Sequence, residues 1–126
     1  RFVAPKELQL RLDIIEYLTK HKKERRLSWT FEESLSKKIL KETDVLYWTR
    51  IQKERMNGDG EHIKNFVLTP QIIKFLPKES IIMHPLPRVG EIHPSTDRDP
   101  RAWYFKQAKN GLYVRMALLS YLFHDH

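Results

Sequence analysis

Two short stretches of this 126-residue chain carry residue types that could do chemistry together. The first runs Thr49-Arg50-Ile51-Gln52-Lys53-Glu54-Arg55. Extended backbone puts alternate side chains on one side, so Arg50, Gln52 and Glu54 would share a face. A guanidinium beside a carboxamide offers several N–H donors that can fork a carboxylate, and Glu54 can pair with Arg50 and hold it in place. The same pattern also describes a surface ion-pair cluster of little energetic worth. The second stretch is His84-Pro85-Leu86-Pro87-Arg88. Prolines on both sides of Leu86 restrict its backbone and remove neighbouring N–H groups, leaving carbonyl oxygens with few competing donors. Such a loop can accept a hydrogen bond from an amine or amide, or it can be no more than a stiff turn. A tight X-Pro turn is also a place for a cis peptide.

Other chemistries find little support. With no cysteine there is no thiol nucleophile, disulfide or Cys-type zinc site. The six histidines include His84 and His93 on a proline-rich loop and His124 and His126 at the chain end, with no helix-face pair beside a carboxylate, so no metal and no cofactor are expected. Lys and Arg total 23 against 16 Asp and Glu, a formal charge of +7. Much of the excess lies in Lys20, Lys22, Lys23, Arg25 and Arg26, which suit the C-terminal end of a solvated helix. A basic nucleic-acid-binding module is the competing reading of that cluster, but it leaves both loops unexplained. Trp29, Trp48 and Trp103 are expected in the core rather than as base-stacking platforms. A mean hydropathy of −0.58 and the lack of any long apolar run predict a soluble chain that does not enter a membrane.

The elements that would position the two loops follow from periodicity. Phe2-Val3-Ala4 reads as a strand end, and a chain opening there on Arg1 is expected to belong to a longer one. Pro5 leads into a helix with Leu8, Leu12, Ile15 and Leu18 on one face. Leu27-Ser28-Trp29 is a strand candidate, and Thr30 with Glu33 forms a capping box for a second helix bearing Phe31, Leu35 and Ile39. Val45 to Trp48 and Ser80 to Met83 read as strands buried on both faces. Thr69-Pro70 opens a short helix, residues 84–97 form a loop, and Asp99-Pro100 starts a helix that breaks at Asn110-Gly111, with another from Leu112. Strands alternating with helices predict an α/β fold with a parallel sheet, whose ligands bind beyond the carboxyl ends of the strands. Both polar loops leave such ends.

The two loops, together with Asp99-Pro100-Arg101-Ala102-Trp103-Tyr104-Phe105 and Asn110-Gly111-Leu112-Tyr113-Val114-Arg115-Met116-Ala117, resemble aspartate carbamoyltransferase in identity, order and approximate spacing over essentially the whole chain. The resemblance implies a Rossmann-like parallel sheet flanked by helices, lacking its first strand–helix unit. Residues 1–110 would form the aspartate-binding domain, incomplete at its N-terminus, and 111–126 a terminal helix that packs back on the family's N-terminal carbamoyl-phosphate domain, which is not in this sequence. It implies carbamoyl transfer from carbamoyl phosphate to L-aspartate in pyrimidine biosynthesis by a cytoplasmic homotrimer that needs no cofactor, nucleic acid or membrane. Arg50 and Gln52 would bind the aspartate carboxylates, and the Leu86 carbonyl, ahead of a cis Leu86–Pro87 bond, would meet the reacting groups. Glu54, Arg55 and Arg88 would support the site and its closure, and Arg115 would aid its geometry. Gly90 stands where relatives carry an acidic or amide residue. The family's phosphate-binding Ser-Thr-Arg-Thr motif is not in this sequence, so the 126 residues alone are expected to be inactive. Ornithine carbamoyltransferase shares the fold but carries Cys where this chain has Pro85. A non-catalytic homologue that kept the fold is the remaining alternative, against which the intact Arg50, Gln52 and His84–Arg88 loop argue.

Overall fold

The computed structural model describes residues 1–22, 26–50 and 66–124. Its strands are β1 (Phe2–Val3), β2 (Phe31–Glu32), β3 (Val45–Tyr47) and β4 (Ile81–Met83), and its helices are α1 (Leu12–Lys20), α2 (Lys37–Lys41), α3 (Pro70–Ile73) and α4 (Tyr104–His124). β1 pairs with β2 and β3 with β4, both in parallel. Parallel pairing with helical crossovers makes this an α/β fold, as the alternation of elements predicts.

The core gathers on β4. Ile82 is fully buried, with β3 on one side and an isolated parallel bridge to Ala102 on the other. A second bridge joins Leu68 to Ile92, both buried, and Ile73, Leu76, Leu40, Trp48 and Tyr104 complete the cluster. Each such aliphatic side chain withdrawn from water stabilises the fold by roughly 1.5–3 kcal/mol. Among the described residues nothing before Leu40 and nothing after Tyr104 is buried.

Several local expectations give way to this packing. Leu27-Ser28-Trp29 is not a strand; the strand is Phe31–Glu32, because Phe2 N–H donates to the Thr30 carbonyl at 2.9 Å and the Phe2 and Phe31 rings stack at 5.7 Å. That pairing consumes the residues of the predicted capping box. The second helix starts instead at Ser36, whose Oγ accepts from the Ile39 N–H at 3.2 Å. The predicted first helix is split into a 3₁₀ turn, Lys6–Leu8, and α1, which leaves Leu12 exposed while Ile15 and Leu18 are half-buried. Gln9 causes the split: its amide ties the Ala4 and Glu32 carbonyls at 2.5 and 3.0 Å, across the ends of β1 and β2.

β3 is not buried on both faces, since Val45 and Tyr47 are half-exposed and only Leu46 and Trp48 turn inward. The loop at 84–97 contains the Ile92 bridge and a 3₁₀ turn, Pro94–Arg98. Asp99 does not cap a helix. It chelates Arg101 through Nε and Nη2 at 2.9 and 2.8 Å, and Arg101 Nη1 donates onward to the Leu76 carbonyl at 2.9 Å. The final helix therefore begins at Tyr104 and continues unbroken through Asn110-Gly111. Glycine weakens a helix without obliging it to stop. Trp48 is buried as expected, whereas Trp103 is exposed and Trp29 only half-buried.

Candidate functional site

In β3 and β4, Tyr47 stands opposite Met83. One further ladder bond, from Trp48 N–H to the Met83 carbonyl at 2.9 Å, carries the pairing to the strand ends. Arg50 and Leu86 each lie three residues past the Tyr47–Met83 pair, so the two chemically unusual loops leave neighbouring strands side by side. Arg50 is exposed. With Trp48 and Thr49 it lines a cleft of ≈ 380 Å³ that Val3, Ala4 and Pro5, at the carboxyl end of β1, also line. This is where a parallel sheet presents ligands. Gln52, Glu54 and Arg55 lie outside the described residues.

Leu86, Pro87 and Arg88 are not in the lining of that cleft. They lie on the neighbouring loop, in which the Leu86–Pro87 peptide is cis, as the sequence suggests, and Leu86 takes a left-handed conformation, φ 47°. His84, fully buried, organises this loop. Its N–H donates to Gln107 Oε1 at 3.0 Å, and its Nδ1 accepts from the Leu86 N–H at 2.9 Å. Because Nδ1 is an acceptor, the ring proton sits on Nε2 and is donated to Glu91 Oε1 at 2.9 Å. Glu91 Oε2 accepts from the Val89 N–H at 2.8 Å. Burial acts to raise the Glu91 carboxyl, but the Val89 and Glu91 N–H groups together with His84 outweigh it and hold the carboxyl below its ordinary value. Between Val89 and Glu91 the chain turns at Gly90 with φ 106°, a conformation that glycine adopts without strain.

Arg88 is half-buried. It makes a two-pronged ion pair with Asp97, Nη2 to Oδ2 at 2.7 Å, and lies 5.8 Å from the centres of the Tyr104 and Phe105 rings. The buried Tyr104 hydroxyl donates to the same carboxylate. The Arg88 guanidinium holds the Asp97 carboxyl below its usual range, while burial and then Asp97 push the Tyr104 hydroxyl well up. Gln107, on the first turns of α4, connects the two strand ends: it accepts from His84 and donates to the Tyr47 hydroxyl at 3.3 Å.

Sequence reasoning singled out Arg50, Leu86, Pro87 and Arg88 but passed over His84, Glu91, Asp97 and Gln107. The available signal was local: a histidine two residues before Leu86, and an acid set between Gly90 and an apolar Ile92 rather than on a polar face. Arg115 lies on α4, near Gly111, with its Nη1 4.0 Å from where a Cβ would stand. Among the described residues no group of His, Asp and Glu is arranged to hold a metal ion.

Comparison with known proteins shows what this arrangement belongs to. The family model described as "Aspartate/ornithine carbamoyltransferase, Asp/Orn binding domain" matches residues 1–122. The chain belongs to the aspartate/ornithine carbamoyltransferase family. Several similar proteins in that family are named aspartate carbamoyltransferase. It is 45% identical to the multifunctional protein CAD of Squalus acanthias over 95% of this chain and 5% of that protein. It is also 45% identical to the chloroplastic aspartate carbamoyltransferase of Oryza sativa subsp. japonica, over 96% of this chain and 33% of the relative. The solved aspartate transcarbamoylase of Trypanosoma cruzi in complex with carbamoyl phosphate superposes with a TM-score of 0.82 at 33% identity, covering 94% of this chain and 38% of that one. The same enzyme in complex with carbamoyl aspartate and phosphate gives a TM-score of 0.80. The chain thus spans about a third of the single-function carbamoyltransferases it matches.

Proposed function

We propose that these residues supply the aspartate-binding half of an aspartate carbamoyltransferase acting in de novo pyrimidine synthesis. The observation that supports this most directly is the placement of Arg50 and Leu86 at equal steps past one register pair, so that a cationic donor and a carbonyl-bearing loop emerge together from adjacent parallel strands. In this reading Arg50 and Gln52 fork the carboxylates of L-aspartate, Glu54 steadies Arg50, and Arg55 serves closure of the site. Arg88, held by Asp97, fixes the loop whose Leu86 carbonyl receives an N–H of the aspartate amine. The carbamoyl phosphate lies against a second domain, onto which the segment 111–126, with the exposed apolar side chains of α4, packs.

The reaction needs no covalent enzyme intermediate. The lone pair of the aspartate amine forms a bond to the carbamoyl carbon, the carbon–oxygen bond to phosphate breaks, and the amine loses a proton. The products are N-carbamoyl-L-aspartate and inorganic phosphate. Holding two anionic substrates in reacting geometry lowers the barrier, and oriented N–H donors stabilise developing charge better than mobile water does. A net positive chain favours the approach of both anions. The working unit is a homotrimer in the cytoplasm; no described helix is long and apolar enough to cross a membrane.

The test is a carbamoyl-product assay on the full-length chain that carries this segment, with aspartate and ornithine offered in parallel. Turnover with aspartate alone is expected. Turnover with ornithine alone, or with neither, overturns the reading.

A further inference from the structure

We propose that His84 and Glu91 are positioning residues: a buried imidazole–carboxylate couple that sets the Leu86 carbonyl for carbamoyl transfer. The inference rests on the reading that Leu86 meets the aspartate amine. A turn that merely joined β4 to the next element would need neither a left-handed leucine nor a buried carboxylate, since both are costly unless the surroundings over-determine them. Here the surroundings do. The Leu86 N–H is held by His84 Nδ1 at 2.9 Å, His84 Nε2–H is held by Glu91 at 2.9 Å, and the second Glu91 oxygen takes the Val89 N–H at 2.8 Å. Both ends of the segment 86–89 are thereby pinned to one couple that is itself out of solvent, with side-chain exposures of 0% and 6%. The couple is anchored to the sheet as well, because the His84 N–H is taken by Gln107, which also reaches Tyr47 at the end of the Arg50 strand. The Leu86 carbonyl is consequently fixed relative to the strand that carries Arg50.

Three variants of the full-length enzyme test this. His84→Leu removes both ring contacts and is expected to lower kcat/KM for aspartate about a hundredfold, the size of effect that a displacement of about 1 Å in a reacting group produces. His84→Asn keeps an oxygen that can accept the N–H two residues on, as in an Asx turn, and should recover at least about tenfold of that loss. Glu91→Gln keeps one acceptor but loses the charge and should fall between the two. In each case kcat drops and KM for carbamoyl phosphate stays unchanged. If His84→Leu does not fold, the other two variants decide. Lowered melting temperatures with wild-type kcat in all folded variants would make the couple a purely structural one and overturn the proposal, as would His84→Asn behaving no better than His84→Leu. Absence of aspartate turnover in the wild-type enzyme would instead remove the underlying reading of the site, and this proposal with it.

Discussion

The loops after β3 and β4 start from the same register pair and bring opposite chemistry to it. After β3 the chain offers donors: Arg50 is exposed and opens on the cleft beside Thr49. After β4 it offers an acceptor backbone, immobilised by side chains that are nearly all withdrawn from water, with His84, Glu91 and Tyr104 buried and Arg88 tied to Asp97. A long guanidinium can find a carboxylate from a mobile stem, whereas a carbonyl oxygen has no freedom apart from its backbone. In the loop after β4, the described contacts hold a segment whose functional atom belongs to the main chain.

The sharpest break in that comparison is Arg50→Lys in the complete enzyme. Charge is kept but the two-pronged donor geometry is not. A loss of roughly 2–4 kcal/mol in transition-state stabilisation is expected, tens to several hundredfold in kcat/KM for aspartate. Unfolding free energy should change by no more than about 0.5 kcal/mol. Urea titration alongside steady-state kinetics separates the two; wild-type kinetics would return Arg50 to the surface ion-pair reading.

On the acceptor side the order reverses, and stability moves first. Tyr104→Phe deletes a hydrogen bond to a charged carboxylate and should cost about 1.5–3 kcal/mol in a urea titration. No loss would mean that Arg88 alone satisfies Asp97. The same side should be acid-labile. Asp97, Asp99 and Glu91 all sit below their ordinary values of 3.8, 3.8 and 4.5 in the folded chain. A carboxyl depressed by folding stabilises fully above its unfolded value and loses that stabilisation as pH falls through the folded one. Melting temperature should therefore decline below about pH 4.5, and Asp97→Asn should start lower and decline less steeply. The smallest effect is expected at Gly111→Ala: the added methyl would meet only Arg115 Nη1 at 4.0 Å, and the helix should gain up to about 1 kcal/mol by thermal melting.

What the sequence disclosed and what it hid divide along the same physical line. Strands β3 and β4 were legible because short apolar runs bounded by turn residues have few other solutions. The Leu86–Pro87 geometry was legible because proline restricts its neighbours locally. The start of the second helix was not, because Thr30-Phe31-Glu32-Glu33 satisfies a local cap and a long-range strand pairing equally well, and the partner Phe2 is distant in sequence. Asp99 was misread because its local pattern suits a cap, whereas Arg101, two residues on, takes its carboxylate and is itself held by the Leu76 carbonyl, which only folding brings close. His84 was read only as part of the proline loop, and Glu91 and Gln107 were passed over, because the bonds that join the three form only when β4, its loop and α4 come together. Arg50 was visible as a residue type; its place on a cleft with β1 required the fold.

α4 has a mechanical consequence. At 1.5 Å per residue its 21 residues make a rod of about 31 Å. One end is clamped: Tyr104 is in the core and Gln107 grips both Tyr47 and His84. The other end carries Leu118, Leu119, Tyr121 and Leu122 outward. An unbroken rod clamped at its root is a lever, and a tilt of about 10° at the root swings the far turn by about 5 Å. Read in reverse, a push of several ångströms on the far turn arrives at Gln107 as a fraction of an ångström, delivered simultaneously to both strand ends.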